Sequence, residues 1–117
     1  MKTITVNALT TLDEIGSFRI PISTDQTEKI SSLLEMRKHW GVPRPFHGEF
    51  GNDPIEEGFL YIWAKPKVTV LYLAKKFEPN MLQKALGNHP NLLIETRSIP
   101  HSQKGEILNR VAQLIGL

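Results

Sequence analysis

Two β-prone runs in the middle of the chain, Phe59-Leu60-Tyr61-Ile62-Trp63 and Val68-Thr69-Val70-Leu71-Tyr72-Leu73, are separated only by a short connection holding Lys65-Pro66-Lys67. β-Branched and aromatic residues favour a pleated, half-buried surface, and a proline-containing link of this length closes a hairpin. A central hairpin of this kind must find further strands beside it and an apolar layer on at least one face.

The flanking segments supply both. Lys2 to Leu9 alternates threonine with Ile4 and Val6 as a half-buried strand does, and Phe18-Arg19-Ile20-Pro21-Ile22 predicts a second short strand, with Pro21 suited to an edge. Ser23 and Gln26 have capping-box spacing, with Asp25 in the first turn, which opens a helix expected over 24–40. Ile30, Leu33 and Leu34 form its apolar stripe, Arg37, Lys38 and His39 would crowd its last turn, and Gly41 would end it.

Further on, 78–86 predicts a short helix with Pro79 in its first turn, and 91–98 predicts a strand carrying Leu92, Leu93 and Ile94. From Gly105, the positions Ile107, Leu108, Val111, Leu114 and Ile115 define one stripe of a closing helix. The order β, β, α, β, β, α, β, α contains a βαββαβ kernel. The expected fold is therefore a small α+β sandwich of ferredoxin-like type, with a central hairpin and an added C-terminal helix, in a single domain over 1–117.

Composition excludes several chemistries. There is no cysteine, which removes disulfides, thiolate catalysis, iron–sulfur clusters and cysteine-type zinc sites, and fits a cytoplasmic protein. No apolar run, the stretch inside 68–74 included, is long enough to span a bilayer, and residues 1–6 lack the apolar core of a secretory signal, so no membrane association is expected. Residues 1–58 carry six basic and nine acidic side chains, whereas 59–117 carry eight basic and three acidic. That mildly basic second half could attract phosphate, nucleic acid or an acidic protein surface, although no Lys/Arg run exceeds two residues and solvated lysines are the simpler reading.

Candidate chemistry gathers in two places. The Pro- and Gly-rich connection over 42–57 holds His47, Glu49 and Asp53, which could offer one nitrogen and two oxygens to a divalent ion. Their spacing matches no metal motif, so a polar, ligand-touching surface loop is expected, with no cofactor. His39, His89 and His101 fall near element boundaries, where a histidine meets water or a helix end. No Ser/His/Asp arrangement of triad type, Walker loop or dinucleotide fingerprint is present.

The second place is Ile99-Pro100-His101-Ser102-Gln103-Lys104-Gly105-Glu106-Ile107-Leu108-Asn109-Arg110, which follows a strand and opens a helix. It resembles the closing motif of the adenylate-forming acyl ligases, with Pro100, Ser102, Gly105, Ile107 and Arg110 at the matching positions. Gly16 with Phe18-Arg19-Ile20 is similar to the entry of that family's mobile C-terminal domain, one residue longer. The resemblance implies an acyl-ligase cap. Where that family's lysine contacts carboxylate and phosphate, however, this chain has Glu106, and a carboxylate there repels both anions unless Lys104 substitutes for it. The large nucleotide-binding domain of such ligases has no counterpart in 117 residues.

The expectation is thus a non-catalytic binding or regulatory module with a protein partner or a second copy of itself. The candidate ligand-binding residues are Lys104, Glu106 and Arg110, with His47 and Glu49 as the loop group. Two alternatives stand beside it: a separated ligase part that needs a large adenylating partner, or a ferredoxin-like module binding nucleic acid or a small ligand.

Overall fold

A computed structural model describes residues 2–39, 56–76 and 92–116. The described strands are β1 (Lys2–Thr3), β2 (Gly16–Pro21), β3 (Arg37–His39), β4 (Phe59–Ala64), β5 (Val68–Lys76) and β6 (Leu92–Pro100). The helices are α1 (Val6–Thr10), α2 (Thr24–Leu34) and α3 (Lys104–Ile115), the last entered through a 3-10 turn at His101–Gln103. The strands form one sheet in the order β1-β2-β4-β5-β6-β3, in which only β1 and β2 run parallel.

The α+β class is therefore observed, and so is the central hairpin: Ala64 pairs with Thr69 and Leu60 with Leu73, while Lys65 N–H closes the turn on the Val68 carbonyl at 2.9 Å. The ferredoxin-like refinement is not what the sheet displays. That arrangement splits each βαβ unit around an intervening strand, whereas here β2 and β4, which flank α2 in the chain, are direct antiparallel neighbours, as are β5 and β6.

Period-2 alternation sorts the strands into two faces. Phe18, Ile20, Leu60, Ile62, Ala64, Leu71, Leu73 and Ile99 face the helices, where they join Leu9 of α1, Ile30 and Leu34 of α2, and Ile107, Leu108, Val111, Ala112 and Ile115 of α3. On the opposite face Tyr61, Val70, Tyr72, Ala74 and Ile94 form a second buried cluster, with Phe59 and Trp63 packed at its margin.

Two expected elements are corrected. The strand expected over 2–9 stops at Thr3, and Val6–Thr10 is helical, because Thr5 acts as an N-cap that accepts from Ala8 N–H and Leu9 is buried in the helix layer. The helix expected to reach Trp40 ends at Leu34, where Glu35 takes a left-handed conformation (φ 50°, ψ 49°). Glu35 and Met36 N–H then bond to Ser32 and Ser31 carbonyls, and the chain continues as β3. Arg37, Lys38 and His39 are consequently strand residues. The cation at the α2 C-terminus is instead Arg97 of β6, whose Nη1 donates to the Leu34 carbonyl.

The capping box at Ser23 is present in both directions: Gln26 N–H donates to Ser23 Oγ, and Ser23 N–H donates to Gln26 Oε1 at 2.9 Å. Pro21 fits its strand because β1 reaches only Phe18 and Arg19, leaving the far side of Pro21 open. The expected helix over 78–86, Gly41 and most of the 42–57 loop lie outside the described residues. No helix among the described residues is long and apolar enough to cross a membrane.

Candidate functional site

The closing segment folds as a strand end, a 3-10 turn and a helix start, but it does not bring Lys104, Glu106 and Arg110 together. At about 100° per residue, Lys104 and Glu106 point about 200° apart around α3. Lys104 lies on the buried side with Ile107, Leu108 and Val111, while Glu106 and Arg110 are exposed. A residue at the first position of an apolar stripe buries its stem in this way whatever its charge. His47, Glu49 and Asp53 lie outside the described residues. Among the described residues, no group of three or more His, Asp or Glu side chains is placed to hold a metal.

The structure does assemble a polar recess elsewhere, at the junction of β3, β6 and the end of α2. Its volume is about 640 Å³, and it is lined by Glu35, Arg37, Thr96, Arg97 and Ser98. The recess exists because β3 is cut short. Arg37 pairs with Thr96, so continuing the register would place Glu35 opposite Ser98. Glu35 is left-handed and its N–H is turned back to Ser32, so the pairing stops there.

The ladder also fixes which backbone groups open into this gap. Val68 pairs with Pro100, and His101 N–H donates to the Lys67 carbonyl at 3.1 Å, the next step of the same register. Hydrogen-bonded pairs alternate along an antiparallel ladder. Ile99, Arg97 and Glu95 therefore direct their backbone groups toward β5, whereas Ser98, Thr96 and Ile94 direct theirs toward β3. Thr96 and Ile94 meet Arg37 and His39. Ser98 faces the recess with its N–H and C=O and has no described strand partner. Pro100 is the other outward residue, and it has no N–H to leave unpaired.

Arg97 is held in place from behind. It is half-buried, and its bond to the Leu34 carbonyl engages one of five guanidinium donors against the negative end of the α2 dipole. Arg37 is exposed, and Glu35 sets an exposed carboxylate at the mouth. Deeper on the same helix-facing side, the fully buried Glu95 accepts from Ser31 Oγ of α2. Its Oε1 meets Lys75 Nζ at 3.3 Å as an ion-pair contact outside hydrogen-bond geometry, and Lys75 also reaches Glu28 of α2 at 3.2 Å. This polar set ties α2 to β5 and β6, and so fixes the helix end that shapes the recess.

The opposite face carries a cross-strand row, Arg19, Tyr61, Tyr72, Thr96 and Arg37, that no linear motif displays. The Arg19 guanidinium lies 4.5 Å from the Phe59 ring centroid, and Lys65 Nζ lies 3.6 Å from that of Trp63. Tyr61 is fully buried and its oxygen accepts from Glu56 N–H at 2.8 Å. Desolvation pushes its pKa above the ordinary 10.0, against the smaller opposing effect of that hydrogen bond.

Sequence reasoning missed the recess because its residues come from the end of a helix and from two strands more than fifty residues apart. The signal that could have pointed to it was the polar run Glu95-Thr96-Arg97-Ser98 inside a β-strand. Comparison with known proteins finds no matching family model, curated protein or solved structure.

Proposed function

We propose that the chain is a non-catalytic binding or regulatory module, cytoplasmic, that engages a protein partner at the β3–β6 end of its sheet. The observation that carries this reading is the recess itself, lined by Arg37, Arg97 and Ser98, with the outward backbone of Ser98 facing it. Arginine forks and unpaired strand edges are both means of recognising another chain. The test is affinity capture at physiological salt, with a nuclease-treated control, comparing the wild-type chain with Arg37→Glu. Partners retained by the wild type and lost by the variant support the reading. Retention indifferent to Arg37, or abolished by nuclease, overturns it.

A second reading makes that partner a large adenylating subunit, with this chain as its cap. It draws support from the strand, turn and helix geometry of 99–110, and it expects Arg110→Ala to release such a subunit while the recess variant does not. The nucleic-acid reading draws less, because Tyr61 and Tyr72 are buried and cannot offer ring faces to bases.

A further inference from the structure

We infer that the recess takes an extended acidic peptide segment of a partner, which continues β3 along β6 by pairing with Ser98 and sets carboxylates against Arg37 and Arg97. The inference rests on the binding-module reading and names the chemistry of the partner.

Three features select this occupant. The outward N–H and C=O of Ser98 form one donor–acceptor pair of an antiparallel ladder, which a backbone in extended conformation satisfies and an isolated anion does not. The side chains around that pair are cationic on both faces of the sheet. Arg37 shares the face of Thr96, its register partner, and Arg97 lies on the helix face, bonded to Leu34. A strand laid beside Ser98 alternates its side chains between the same two faces, so an acidic residue on either side finds a guanidinium. Arg97 is also held by the helix end before any ligand arrives, which lowers the cost of ordering it. Among the described residues lining the recess, the opposing charge is Glu35, whose exposed carboxylate at the mouth weakens rather than prevents acidic binding.

The experiment is a fluorescence-anisotropy titration of the full chain with an acetylated, amidated, dye-labelled pentapeptide of three consecutive glutamates flanked by valines, which offers carboxylates to both faces. Its controls are the lysine–valine counterpart, a form N-methylated at the central residue, and free glutarate as competitor. The acidic peptide is expected to bind, with the lysine peptide at least about tenfold weaker and the N-methylated form about fivefold weaker. Arg37→Glu should weaken binding about tenfold, and Glu35→Gln should strengthen it two- to threefold, by about 0.5 kcal/mol. Ser98→Pro removes the outward N–H without touching the β5 ladder and should abolish binding with the melting transition retained. Arg37→Glu serves the same purpose if that proline does not fold.

Equal binding of acidic and basic peptides overturns the inference, as does indifference to N-methylation. Competition by glutarate at the peptide's own concentration also overturns it, by reducing the site to one for small acids. If the peptide fails while Arg37→Glu still releases captured partners, the acidic strand is wrong and the binding module stands. If both fail, both are wrong.

Discussion

A single backbone conformation, that of Glu35, decides where α2 stops, where β3 starts and why a gap remains beside Ser98. A non-glycine residue in the left-handed region carries a strain of about 1 kcal/mol. Replacing it with glycine relieves that strain, partly offset by the greater freedom of the unfolded chain. Glu35→Gly is therefore expected to raise the melting temperature by a few degrees; an unchanged or lowered transition would mean that the side chain contributes more than its backbone costs. Nothing in the sequence marked this position, since glutamate is a good helix former and Arg37, Lys38 and His39 read naturally as cations completing a last turn. The cap at the other end was legible because Ser23 and Gln26 are close in the chain and chemically specific, and both of their bonds are present.

Among the elements, the central hairpin, β6 and α3 follow directly from their apolar periods, whereas the β1–α1 region does not. Only two residues, Ile4 and Thr5, separate the threonine-rich strand from the capped helical turn, and Leu9 reaching the helix layer settles the choice. The link between α2 and the sheet was equally hidden, because Glu28, Ser31, Lys75 and Glu95 are far apart in sequence. That link leads to a prediction. Lys75→Met strips the fully buried Glu95 of its cation, an uncompensated loss of about 3 kcal/mol, which chemical denaturation can measure. The double variant Lys75→Met/Glu95→Leu replaces both charges with apolar groups and should recover most of that loss. Equal destabilisation of single and double variants would show that the two residues are not coupled. Ser23→Ala, which removes the cap, should cost about 1 kcal/mol in the same assay.

For the whole molecule, strand order was the property least legible in the sequence. Periodicity assigns a segment its type and its buried side but not its neighbour, so a βαββαβ order was compatible with a split arrangement that the antiparallel β2–β4 contact does not adopt. One consequence of the observed order is a second buried cluster on the face away from the helices, with Tyr61 at its centre. Burial raises the Tyr61 pKa, so the folded state holds the neutral phenol more firmly than the unfolded state does. This contribution is fully present below the unfolded pKa of about 10. As pH rises past that value the unfolded chain loses its proton first, and the contribution is lost progressively until the folded pKa is passed. Tyr61→Phe cannot titrate. At neutral pH it should be less stable by about 1 kcal/mol, the net worth of the bond from Glu56 N–H. Between about pH 9 and about pH 11 the gap in melting temperature between wild type and variant should narrow, because only the wild type loses the phenol's contribution. A gap that stays constant over that range would place Tyr61 in contact with water in the folded state, and would argue that the second face of the sheet is open.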